Sequence, residues 1–115
     1  MRLDTILDRL DAFGLPYAFL EFKDSELNPA PGPPFIVYLT TIAPRGPDEG
    51  PALIEQVDVA IELYTDEPAP ALENRLEAEI LEGVDYRRFQ AVIDSENMVQ
   101  TAYEFTITQK RRLTP

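Results

Sequence analysis

From Val99 to Thr108 the chain alternates without a break, with Val99, Thr101, Tyr103, Phe105 and Ile107 on one side and Gln100, Ala102, Glu104, Thr106 and Thr108 on the other. Successive side chains of a β-strand point to opposite faces, so this run defines a strand with one face in a core. A slip of one residue would turn every apolar side chain into water. A second stretch has the same period: Val57, Val59, Ile61 and Leu63 share one face, and Asp58, Ala60, Glu62 and Tyr64 the other. Two such strands require a sheet and a layer to cover its apolar face.

The covering layer is legible at the other period. Leu3, Ile6, Leu7, Leu10 and Phe13 recur at helical spacing, with Asp4, Asp8, Arg9 and Asp11 opposite them, and Gly14 and Pro16 mark the stop. A second helix is expected after Thr65-Asp66-Glu67-Pro68, with Leu72, Leu76 and Ile80, joined by Ala69 and Leu81, as its apolar stripe and Gly83 at its end. Glu73 with Glu77 forms an i, i+4 pair of like sign, and Arg75 with Glu79 one of opposite sign.

Three further strands complete the pattern. Tyr17–Phe22 is short and aromatic. Phe35–Ile42 is almost continuously apolar, which predicts a central strand covered on both faces. Tyr86–Asp94 precedes the alternating run across a link of hairpin length, Ser95–Met98. Loops are expected at about residues 28–34 and 43–51, where prolines remove backbone donors, and a basic tail at 109–115. The predicted fold is α+β over 1–115 as a single domain: one mostly antiparallel sheet of about five strands with two helices packed on one face. At 115 residues the chain can bury roughly two-thirds of its unfolded surface in one core.

Composition bears on function mainly by exclusion. There is no cysteine and no histidine, which removes thiolate chemistry, disulfides and the commonest zinc ligands and general base. A formal charge of −11 opposes a phosphate backbone. Met1-Arg2-Leu3-Asp4 lacks the pattern of a signal peptide, and no apolar run approaches a membrane span, so a cytoplasmic protein is expected.

The remaining constellations fail on spacing. Asp24-Ser25-Glu26-Leu27-Asn28 sets oxygen ligands at alternate positions, but Pro29 stands where a calcium loop needs glycine and Phe35 where it needs glutamate. Asp66, Glu67 and Glu73 could be imagined as a carboxylate cluster for acid–base chemistry or magnesium, yet acidic residues at a helix start already satisfy the macrodipole. No glycine-rich phosphate cradle and no nucleophile elbow is present. The expectation is no catalytic residue, no cofactor and no metal.

Half of the basic residues fall in two runs, Arg87-Arg88 and Lys110-Arg111-Arg112. These are either a solvated strand end and a solvated tail, or a candidate protein interface that meets an acidic surface on a neighbouring copy or partner. Tyr64, Tyr86 and Tyr103 divide in the same way between sheet packing and interface use.

Four segments taken together, Pro34–Thr40, Val57–Asp66, Leu72–Glu77 and Thr101–Phe105, resemble the tail terminator or tail-completion (head–tail joining) proteins of long-tailed bacteriophages and prophages. The order covers nearly the whole chain. The chain is shorter than some members between the second helix and the final hairpin, so no contact segment there is carried over. The resemblance implies a structural protein of virion assembly, a homo-oligomer forming a hexameric ring. Such a ring ends polymerisation of the major tail tube protein on one face and meets the head–tail connector on the other. It also implies residence in the host cytoplasm during assembly and then in the virion neck. Alternatives are another connector or minor tail protein, or a small ligand-binding regulatory module outside phages. A carboxylate-dependent metalloenzyme finds no support in the spacing.

Overall fold

A computed structural model describes residues 1–22, 30–45 and 54–111. The first helix, α1, spans Leu3–Phe13 and buries Ile6, Leu10 and Phe13; it ends at Gly14, whose φ of 97° lies in the left-handed region. Its first turn is held by a distant side chain. The amide of Leu3 donates to Gln109 Oε1 at 2.8 Å, because no capping side chain precedes the helix.

Five strands follow: β1 at Tyr17–Phe19, β2 at Phe35–Arg45, β3 at Ile54–Thr65, β4 at Arg87–Ile93 and β5 at Met98–Lys110. They form one sheet in the order β1-β2-β3-β5-β4, parallel between β1 and β2 and antiparallel elsewhere. The expected α+β class, strand number and mostly antiparallel pairing therefore hold. The second helix, α2, spans Pro70–Glu79 between β3 and β4, with proline at its first position, where a missing amide costs nothing.

The two alternating runs pair with each other. Val57 faces Ile107, Val59 faces Phe105, Ile61 faces Tyr103 and Leu63 faces Thr101, all on the side where both helices pack. That face, with Ile6, Leu10 and Phe13 of α1 and Leu76, Ile80 and Leu81 from α2 and the turn after it, is the core. Fully burying such side chains contributes about 1.5–3 kcal/mol each before entropy is counted.

Four expectations are corrected. β2 is not central: β3 is, and Thr41 and Ile42 of β2 are exposed. Apolarity at Ile36 and Val37 reflects burial on both faces at the start of β2 only. The strand also continues past Ile42, since Ala43, Pro44 and Arg45 pair with Gln56, Glu55 and Ile54 instead of belonging to a loop. Strand β1 stops at Phe19, three residues before the expected end, and runs parallel to β2. Lastly, Asp66 and Glu67 do not cap α2; they are exposed, and Glu73 does that work from inside the helix, accepting the Ala69 amide at 2.9 Å. The rejected calcium-loop segment, the first two residues of the expected 28–34 loop and residues 46–51 lie outside the described residues.

Pro44 fits a strand because of where β1 ends. The Ile36 amide donates to Pro16 O at 2.9 Å and the Leu20 amide to Tyr38 O at 3.0 Å, so the even-numbered residues of β2 direct their backbone groups toward β1. Pro44 belongs to that series, beyond the reach of β1, so its absent N–H falls on the open border.

Candidate interaction surface

The helix-bearing face is filled, and several of its polar groups pair with one another, although the buried Thr65 hydroxyl has no hydrogen-bond partner among the described residues. Arg88, near the start of β4, contacts Glu73 through Nη2 and lies 3.7 Å from Glu77 through Nε. Glu77 also accepts from the Tyr86 hydroxyl at 3.0 Å and from the Tyr103 hydroxyl at 2.8 Å. The Tyr86 and Tyr103 rings meet edge to face with centroids 5.4 Å apart. Burial, and then the hydrogen bond to the Glu77 carboxylate, push the Tyr103 hydroxyl well above the usual tyrosine range. The Tyr86 hydroxyl is raised by the same two causes. This network pins α2 to the sheet.

The opposite face is different. At one end, Phe35 stacks on Tyr64 with centroids 5.0 Å apart, Phe22 meets Phe35 edge-on at 5.4 Å, and Val37 is buried beneath that end of the sheet. Toward the middle, Leu39, Thr41, Asp58, Ala60, Glu104 and Thr106 line an open depression of about 700 Å³, bordered by Asp85 and Arg87. Thr106 Oγ1 donates to Asp58 Oδ1 at 2.7 Å. Among the described residues no helix or strand covers this part of the sheet.

The sheet's borders are open as well. β1 pairs with β2 only at Ile36–Tyr38, and β4 pairs with β5 only from Met98 to Glu104. Leu39–Arg45 and Phe105–Lys110 therefore form borders with no strand beyond them among the described residues, and so does the outer side of β4. Unpaired borders offer backbone donors and acceptors to another chain. Ile42, Phe89 and Val92 are exposed along them, Val92 at 69%.

The predicted basic residues are divided among these surfaces. Arg88 is drawn to the helix side by Glu73 and Glu77, whereas Arg87 lies on the open face, its guanidinium 5.8 Å from the Phe89 ring centroid. At the far end of β5, Lys110 pairs in register with Ile54, and its carbonyl accepts from Arg2 Nη1 at 2.8 Å. Arg111 Nε lies 3.8 Å from Glu55 Oε1, and Arg112 lies outside the described residues. The two basic runs are thus not one patch. Of the three tyrosines, Tyr86 and Tyr103 pack on the helix side, and Tyr64 stands on the open face, accepting from Gln100 at 2.8 Å and donating to Glu62 at 3.0 Å.

Sequence reasoning missed Glu73 and Glu77 as members of a network. The signal was their like-signed i, i+4 spacing on either side of the buried Leu76, an arrangement that needs a cation between them. Arg88 supplies it. Among the described residues no three Asp or Glu side chains gather closely enough to hold a metal ion, and no helix is long and apolar enough to cross a membrane.

In comparisons with known proteins, the chain matches no family model, and no curated protein is significantly similar to it.

Proposed function

We propose that the protein is a structural, ring-forming subunit of a long-tailed phage particle, a tail terminator that caps the tail tube, ends its polymerisation and joins it to the head. The observation that carries self-assembly is the asymmetry of the sheet: among the described residues, one face is packed by both helices, while no helix or strand covers the middle of the other face or pairs with the outer stretches of the sheet's borders. A contact repeated head to tail around an axis closes into a ring when its rotation divides a full turn, and closure covers such borders. The particular role rests on the resemblance across Pro34–Thr40, Val57–Asp66, Leu72–Glu77 and Thr101–Phe105. The high acidity suits a ring whose lumen passes DNA without holding it, since copies of charge −11 repel phosphate. The protein then acts in the host cytoplasm during assembly and in the virion neck afterwards.

Electron microscopy of growing tail tubes tests this reading. Added protein is expected to appear as a cap at one tube end and to stop elongation. Tubes that lengthen as before, or protein decorating the tube sides, would contradict it.

A second reading, a ligand-binding regulatory module, is favoured by one observation. A smaller depression of about 360 Å³ lies between Phe22, Phe35, Tyr64 and Met98, mostly apolar with Glu21 and Glu96 at its margin. Thermal stabilisation by a small aromatic compound, lost in Tyr64→Ala, would support that reading instead.

A further inference from the structure

Where β2 begins and β3 ends, three aromatic rings make a corner. Phe35 and Tyr64 stack with their planes 17° apart, and the Phe22 ring stands at 83° to Phe35. Ile93 and Met98 bound the recess of about 360 Å³ on the β4–β5 side, and Glu21 and Glu96 stand at its margin. Among the described residues no lysine or arginine lines it, and neither carboxylate is in a salt bridge. We propose that this recess receives an arginine side chain of a partner protein, its guanidinium against the aromatic rings and within reach of Glu21 and Glu96. The inference goes beyond the tail-terminator reading and does not depend on it.

The ligand class follows from the chemistry of the walls. Aromatic faces carry partial negative charge and attract a cation, and two carboxylates add full charges, so an anion is repelled by both. A neutral apolar group would use the rings but leave the carboxylates partly desolvated with no partner. Guanidinium suits the site better than ammonium: it is planar and weakly hydrated, and it stacks on a ring while its N–H edge donates to a carboxylate. The negative charge extends to Tyr64, whose hydroxyl donates to Glu62 at 3.0 Å. Burial, opposed in part by the Gln100 hydrogen bond, and then the Glu62 and Glu96 carboxylates hold that hydroxyl above the usual tyrosine range.

The recess is an open depression, so a free cation would keep part of its surface in water, whereas a side chain is also held by the contacts its own protein makes around it. Leu20, 56% exposed at the rim, offers apolar surface for such contacts. The backbone there is strained. Leu20 has a φ of 68°, a region leucine rarely adopts, and it directly precedes Glu21 and Phe22. A chain of charge −11 draws a basic partner, and the contact should weaken as salt is raised.

The test is an NMR titration of the full-length protein, following backbone amides, with a short peptide that carries one arginine between apolar residues. The same peptide with citrulline, nearly the same shape without the charge, is the control. The arginine peptide is expected to shift amides around Phe35, Tyr64 and Met98, and the citrulline peptide to bind about tenfold more weakly. Glu21→Gln/Glu96→Gln, at two exposed positions, should abolish that difference with the fold intact by circular dichroism. Equal binding of the two peptides would overturn the need for a cation. Shifts spread over other acidic surfaces, unchanged in the double variant, would overturn the site. N-acetyl-arginine amide binding as tightly as the peptide would overturn the partner protein as the source. No readout involves assembly, so failure here leaves the ring reading standing, and failure of the ring leaves this site to be judged by its own titration.

Discussion

The Tyr103 hydroxyl donates a 2.8 Å hydrogen bond to Glu77 Oε2 from a ring with no solvent exposure, joining the middle of β5 to the second half of α2. Because burial and the neighbouring carboxylate both favour the protonated phenol, the folded protein keeps that proton to higher pH than the unfolded chain does. The stability this contributes is whole below about pH 10 and is lost as pH rises beyond it. Tyr103→Phe removes the term. In urea denaturation followed from pH 8 to 11, the parent is expected to lose stability at the alkaline end more steeply than Tyr103→Phe. At pH 8 the variant should be less stable by about 1 kcal/mol for the lost hydrogen bond. Equal slopes would mean that the hydroxyl is not held as described.

Glu73 is 5% exposed and accepts from both the Ala69 amide and Arg88. Glu73→Ala leaves a helix-end amide without its acceptor and takes one of two carboxylate partners from the Arg88 guanidinium, which keeps its longer contact with Glu77, and about 2–3 kcal/mol of stability should be lost. Glu73→Gln retains an oxygen for the amide and loses the charge, so it should cost less. Thermal melting of the two variants side by side checks the order, and an equal loss would assign the whole effect to the charge.

Gly14 closes α1 at a φ of 97°, and an added Cβ there would meet nothing within 4 Å. Gly14→Ala therefore isolates backbone strain from packing. It is expected to destabilise the fold by about 1 kcal/mol, with Gly14→Asn closer to the parent. Chemical denaturation reads both; an Ala variant as stable as the parent would contradict the left-handed cap.

Pro44 removes a backbone donor from the open border of β2. Pro44→Thr restores the donor without disturbing the pairing with Glu55, so the folded stability should change little while non-specific association increases. Light scattering over a day at high concentration measures it. A variant no more prone to associate than the parent would mean that this border is already protected.

Where the sequence was legible, the physics was local or periodic. The faces of β3 and β5 followed from alternation, because one-sided burial leaves only one register, and α1 with its stop followed from spacing and Gly14. Pro44 misled because its meaning depends on where β1 stops, and a proline in a loop reads the same as one on a border. Asp66 and Glu67 have the composition of a helix cap, yet Glu73 is placed by the helix itself to do that work. Arg88 reads as half of a basic pair until the fold brings Glu73 and Glu77 to it, fifteen and eleven residues away in sequence. The parallel pairing of β1 with β2 was hidden for the same reason, since the segment between them carries no periodic signal.

The central claim is assembly, and the most direct test is the mass of the full-length protein by light scattering after size exclusion, over a concentration series, with and without purified tail tubes. The account predicts a species of about six subunits, or binding confined to tube ends. A monomer that persists at every concentration and ignores the tubes would contradict it.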